Sequence, residues 1–148
     1  MVLLDLSAAF DTVDHDVLLD VLQKRFGVEC CALDWFRSYL SNRTQSFCVT
    51  SGLSAPVSLP CSVPQGSRIG LQEFIVYIED IAKTIAALSL NNNLYADNTQ
   101  LQKNLHIVDI KTTRVNLELC IAEIKDWCSS RQLQLNADKT ELIWFGSR

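Results

Sequence analysis

The amino-acid sequence predicts an α+β fold, an antiparallel sheet with helices packed on one face. Three observations predict it. Short apolar runs of strand length sit between turn residues, longer stretches repeat their apolar positions at helical spacing, and the two kinds interleave without a repeated βαβ unit. The 148 residues are 48% hydrophobic and 20% charged, which supports one globular domain with its own core rather than a disordered chain. No internal repeat and no low-complexity segment interrupts it.

Val2-Leu3-Leu4 is a short apolar run ending on Asp5, which fits a buried strand. Asp11, Asp14 and Asp16 then crowd the entry to a helix over 17–26, where Leu18, Leu22 and Phe26 recur every fourth position. Asp14 or Asp16 caps its first turn and Gly27 ends it. A second helix over 31–40 carries Leu33, Trp35, Phe36 and Leu40 around a mostly apolar face. Two strands follow over 43–50 and 56–63, and Pro60 marks the second as an edge. After a break at Pro64-Gln65-Gly66-Ser67, Ser67 opens a helix to about Thr84 with a stripe of Leu71, Phe74, Ile75, Ile78 and Ile81. The segment from Leu88 through Ser89 to Tyr95 leads into a hairpin tip within Leu94-Tyr95-Ala96-Asp97-Asn98-Thr99-Gln100, with a return strand over 99–105. The longest helix, over 109–132, sets Leu117, Ile121, Ile124 and Cys128 on one face with Trp127 beside it. Asn136-Ala137-Asp138 forms a turn, and 139–145 is the last strand.

A net charge of −4 and a pI near 5.1 argue against a freestanding nucleic-acid binder, which usually shows a basic stripe. Any grip on a phosphate backbone must then be local or come from elsewhere. The six cysteines, at 30, 31, 48, 61, 120 and 128, form no Cys-x-x-Cys pair, and His15 and His106 have no partner at metal-ligand spacing. Cys120 and Cys128 share a helix face and read as core. With no charged-then-apolar leader and no apolar run of membrane-spanning length, the expected setting is intracellular, cytoplasmic or nuclear. Met1 runs directly into a strand-like segment, as in a piece of a longer protein.

Chemistry centres on two acids. Asp5 ends a strand and Asp97 sits at a hairpin tip. If those ends lie side by side, two carboxylates share a small volume and repel unless a divalent cation separates them. Mg²⁺ takes oxygen ligands, commonly one or two carboxylates plus substrate phosphates. A pair of such ions positions an attacking hydroxyl and stabilises a leaving group in phosphoryl transfer. Asp and Asn are equally at home in an ordinary tight turn, and spacing along the chain does not decide between the two.

Five strings occur in one order: LLDLSAAFDTVDHD, SVPQGSRIG, FIVYIEDI, LYADNTQL and LNADKTELIWFG. Together they resemble the palm of a reverse transcriptase from LINE-type, non-long-terminal-repeat retrotransposons, over nearly the whole chain. The resemblance implies RNA-directed DNA synthesis with Mg²⁺, or Mn²⁺ in its place. It implies an RNA template, a DNA primer and deoxynucleotide triphosphates as partners, with no membrane. Asp5 and Asp97 match the metal-binding carboxylates, and the backbone at Leu6 would line the metal and triphosphate site. Phe10 matches the bulky residue that blocks a ribose 2′-hydroxyl, or is a plain core ring. Gln65, Gly66 and Ser67 match a loop that contacts template and incoming nucleotide, or form a helix cap. Lys139 matches a lysine near the leaving pyrophosphate, or is an exposed turn residue. Asp11, Asp14 and Asp16 read as helix-start carboxylates rather than a metal cage.

The sequence departs from the family pattern in two places. The family box reads Tyr-Ala-Asp-Asp, and here its last position is Asn98, whose amide oxygen can ligate a cation but brings no charge. The helix after Ser67 carries Gln72 and Glu73 where the family has apolar residues, each costing on the order of 1–3 kcal/mol if buried unpaired. Fingers, thumb and endonuclease sequences are not recognised. Three readings follow: a polymerase palm, a catalytically inactive retroelement remnant, and a non-enzymatic binding module.

Overall fold

The computed structural model describes residues 1–50, 52–87, 90–104 and 109–146. The expected lead-in at Leu88 and Ser89, the end of the return strand at Leu105, and His106 lie outside the described residues. Mixed helices and antiparallel sheets make this an α+β fold, as expected. The chain divides into two units, Met1–Ala9 with Ile78–Arg148, and Phe10–Tyr77. No helix among the described residues is long and apolar enough to cross a membrane.

The first unit is built on a sheet. Strands β1 (Val2–Leu4), β7 (Asn91–Tyr95), β8 (Asn98–Gln102) and β10 (Glu141–Leu142) run in the order β10-β1-β8-β7, all antiparallel. Alternation is strict where it matters: Val2 and Leu4 on β1 and Thr99 and Leu101 on β8 are buried, so one face of the sheet carries the core. Helices α4 (Ile81–Ala87) and α5 (Ile110–Ser130) pack together, with α4 also against β7. Ile81, Ile85, Cys120, Ile124 and Cys128 fill the core. All six cysteines are unpaired, and burial pushes the Cys120 and Cys128 thiols up to about 11, so both stay protonated as the core reading requires. A two-stranded ladder, β2 (Leu6–Ser7) with β9 (Gln134–Leu135), follows directly on β1. Its strands are too short to leave a periodic signal in the sequence.

The second unit holds α1 (His15–Phe26), α2 (Cys30–Leu40), a long hairpin and α3 (Gly70–Ile78), whose last residue belongs to the sheet unit. Asp14 is the cap of α1: its Oδ1 accepts from the Val17 amide at 2.9 Å. Gly27, at φ +66°, closes the helix in the left-handed conformation that favours glycine. The buried set is Leu18, Leu19, Val21 and Leu22, whereas Phe26 is half exposed, so the expected stripe ends one turn early. On α2 only Leu33 and Leu40 are buried. Trp35 instead stacks on Tyr39, ring centroids 5.2 Å apart, and meets Phe36 edge-on.

Three expected elements differ. The strands over 43–50 and 56–63 are four short pieces, β3 (Thr44–Gln45), β4 (Cys48–Val49), β5 (Gly52–Leu53) and β6 (Val57–Ser58), paired β3 to β6 and β4 to β5. Every residue in them is exposed, so nothing beyond local pairing sustains a longer ladder. The helix from Ser67 is two helices, α3 and α4, separated by a turn at Glu79 and Asp80. Its buried face is Phe74, Tyr77, Ile78 and Ile81, with Leu71 and Ile75 turned to solvent. The last strand begins late because Asn136 caps a single 3₁₀ turn, Ala137–Lys139, before β10.

Candidate active site

In the sheet unit, β1 and β8 pair with Val2 opposite Leu101, Leu3 opposite Gln100 and Leu4 opposite Thr99. Asp5 follows Leu4 directly and Asn98 precedes Thr99, with Asp97 next in the turn. Neighbouring strands in such a ladder have Cα atoms about 4.5–5.5 Å apart. Since Leu4 and Thr99 point into the core, alternation sends Asp5 and Asn98 to the opposite face, where Asn98 is exposed and Asp5 only partly so. The turn itself is two residues, Ala96 and Asp97, between Tyr95 and Asn98. Ala96 takes φ +50°, the left-handed backbone that a two-residue hairpin demands. Asp97 is half-buried and Asn98 exposed.

Leu6 follows on β2 with its side chain buried, paired across to Leu135. That ladder carries Lys139 to the same place. The Asn136 amide donates to the Asp5 carbonyl at 2.8 Å, and three residues later the Lys139 ammonium lies 3.2 Å from Asp5 Oδ2. The pair is an ion contact without hydrogen-bond geometry, and Oδ2 is otherwise buried with no hydrogen-bond partner. The Asp5 side chain is only 15% exposed and that of Lys139 is 68% exposed.

In the other unit, Phe10 is half-buried and its ring stacks on Phe74, centroids 4.6 Å apart. Its carbonyl accepts from the Val63 amide at 2.9 Å. Gln65 and Gly66 are exposed in the turn before α3, with Gly66 at φ +85°. The Ser67 hydroxyl accepts from the Gly70 amide at 2.8 Å and so caps α3. Gly70 is obligatory: a Cβ there would lie 2.2 Å from the Pro64 carbonyl oxygen. The structure thus brings Asp5, Leu6, Asp97, Asn98 and Lys139 together within one unit, and Phe10, Gln65, Gly66 and Ser67 within the other.

The oxygen-only set of two carboxylates and an amide suits a hard cation that completes its shell from a substrate's phosphates. Among the described residues no cluster of three or more His, Cys, Asp or Glu side chains is available to hold a metal unaided. A cavity of about 900 Å³ bordered by Leu117, Ile121, Leu142 and Phe145 contains none of these site residues among its described lining. Sequence reasoning missed Asn136, the residue that anchors Lys139. Its signal was present, because Asn before a turn bonds its own backbone: Asn136 Oδ1 accepts from the Asp138 and Lys139 amides. It also missed that of Gln72 and Glu73, only Glu73 is buried.

The sheet unit thus carries one acid, Asp5, just after strand β1 and a second, Asp97, in the hairpin turn before β8. Residues 1–144 match the model of the reverse transcriptase (RNA-dependent DNA polymerase) family, and the chain belongs to that family. Reverse transcriptases copy an RNA template and generally use divalent metal ions. Comparison with curated proteins gives no match.

Proposed function

We propose that the chain is the palm portion of a LINE-type, non-long-terminal-repeat reverse transcriptase acting in the cytoplasm or nucleus. Its reaction is RNA-directed DNA synthesis on a DNA primer with deoxynucleotide triphosphates. The observation that supports this reading is the antiparallel pairing of β1 with β8, whose last register pair, Leu4 with Thr99, is followed by Asp5 on one strand and preceded by Asn98 and Asp97 on the other. Asp5 and Asp97 would hold Mg²⁺, or Mn²⁺, with the Leu6 backbone beside them. Such an ion would supply Lewis-acid activation of the primer hydroxyl and charge stabilisation of the leaving pyrophosphate.

The chain's own residues do the positioning. Phe10, braced by Phe74, closes off the space of a ribose 2′-hydroxyl. Gln65 and Gly66 present an exposed turn to template and nucleotide, and Ser67 fixes that turn by capping α3. Lys139 meets the charge that develops on the leaving group. Asn98 supplies an oxygen without a charge, so the site is short of one negative charge and metal binding is weakened.

A second reading, an inactive retroelement remnant, draws support from Glu73, which is buried with both carboxyl oxygens unbonded. The two are separated by primer extension on an RNA template with residues 1–144 grafted into a complete polymerase. Asn98→Asp in the graft is expected to raise the rate roughly 10²–10³-fold, the usual worth of one electrostatic group at a transition state. A graft that stays inactive with Asn98→Asp, yet binds Mn²⁺, establishes the remnant.

A further inference from the structure

We infer that Lys139 is the resident counter-ion of Asp5, and that a divalent cation enters this site by displacing it. The inference rests on the metal-binding role proposed for Asp5 and Asp97. Three observations meet here. Asp5 Oδ2 is buried, makes no hydrogen bond, and has the Lys139 ammonium 3.2 Å away. A carboxylate removed from water in this way needs a positive charge beside it, and a lysine or a metal serves equally.

The lysine is also placed by the main chain rather than by chance. Leu6 pairs with Leu135, the Asn136 amide bonds the Asp5 carbonyl, and Asn136 Oδ1 caps the single turn that ends on Lys139. Thr140 Oγ1 closes the same turn by donating to the Asn136 carbonyl at 2.8 Å. The root of Lys139 is therefore tied to the residue it neutralises, while its exposed stem is free to swing.

Displacement is inexpensive for that reason: an ammonium that is mostly in water gives up a surface-type pair and becomes solvated. The charge balance makes the competition matter. Two carboxylates and one lysine leave a single net negative charge to attract a metal, where an acid at position 98 would leave two. Asp138 and Glu141 flank the lysine from exposed positions and offer it other acceptors once displaced. Metal arrival thus releases the one ammonium that the proposed mechanism needs at the leaving group.

Calorimetric titration of the intact chain with Mn²⁺ tests this directly, comparing wild type, Lys139→Met, Lys139→Arg and Asp97→Asn. The expected result is several-fold tighter Mn²⁺ binding in Lys139→Met, wild-type affinity in Lys139→Arg, and loss of binding in Asp97→Asn. In EDTA, Lys139→Met is expected to melt below wild type, and saturating Mn²⁺ to close that gap. Equal or weaker binding in Lys139→Met, with Asp97→Asn still abolishing it, overturns the counter-ion inference and leaves the metal site standing. No binding in any chain, or binding indifferent to Asp97→Asn, overturns both.

Discussion

Two buried acids receive opposite treatment. Asp5 stands at the end of β1 with a lysine delivered to it by a capped turn. Glu73 stands inside α3, 2% exposed, with neither carboxyl oxygen hydrogen-bonded. Burial raises the Glu73 pKa above its ordinary 4.5, and the positive charge of Arg43 only partly offsets this. Asp5 has a cation 3.2 Å from its buried carboxyl oxygen. Glu73, buried in α3 with neither carboxyl oxygen hydrogen-bonded, is a burden on folding. The two sites differ in whether the surrounding chain has been shaped around the charge.

The sharpest way to break this contrast is to remove Asp5. Asp5→Ala is expected to abolish Mn²⁺ binding and to lower extension in the grafted polymerase by roughly 10²–10³-fold. Stability should change by no more than about 1 kcal/mol, because the lost pair is mostly exposed on the lysine side. A large loss of stability in urea would make the Asp5–Lys139 pair a structural element, and a gain would place Asp5 with Glu73.

Next in size is Glu73→Leu, expected to stabilise the protein by about 1–3 kcal/mol at neutral pH, read from the urea midpoint. Its pH dependence fixes the cause. Because the folded-state pKa lies above the unfolded value near 4.5, the protonated acid favours folding. That contribution is complete below the unfolded value and is lost as pH rises through the folded one. Wild type should therefore lose stability relative to Glu73→Leu as pH increases, and parallel curves would show that Glu73 is not the buried titrating group.

The smallest effect belongs to Arg43→Met. Arg43 donates to the Ser62 carbonyl at 3.0 Å, and its charge partly opposes the effect of burial on Glu73. A loss of about 1 kcal/mol is expected, shrinking when Glu73→Leu is already present. Strict additivity in that double-mutant cycle would mean that the arginine acts through Ser62 alone.

Local signals were legible. Asp14 and Gly27 bracket α1 because a capping carboxylate and a left-handed glycine act within one turn. The hairpin around Ala96 and Asp97 was readable because a two-residue turn advertises itself. Exposure was harder to read: Val49, Leu53 and Val57 look like strand core in sequence and are more than half exposed, since pattern does not say whether a second layer exists. The break at Glu79 and Asp80 carries neither glycine nor proline, and nothing in its sequence marks it. The candidate acids were visible as residues, whereas the pairing of the strands that carry them was not. It joins segments some ninety positions apart, which only the register reveals. Lys139 was visible through family resemblance, but its bond to Asp5 depends on β2 and β9, two-residue strands that no periodicity can announce.

The hairpin from β3 to β6 has a fastening out of proportion to its contents. At its base the Ser62 carbonyl, on a backbone at φ +98°, contacts both His15 Nε2 at 2.8 Å and Arg43 Nη1 at 3.0 Å, while the Ser62 amide bonds the Val13 carbonyl. Beyond that anchor the projecting strands bury nothing. A protease should therefore nick this arm first and leave α1 and α2 undisturbed, which makes its tip the natural place to splice in an epitope or a fluorescent reporter.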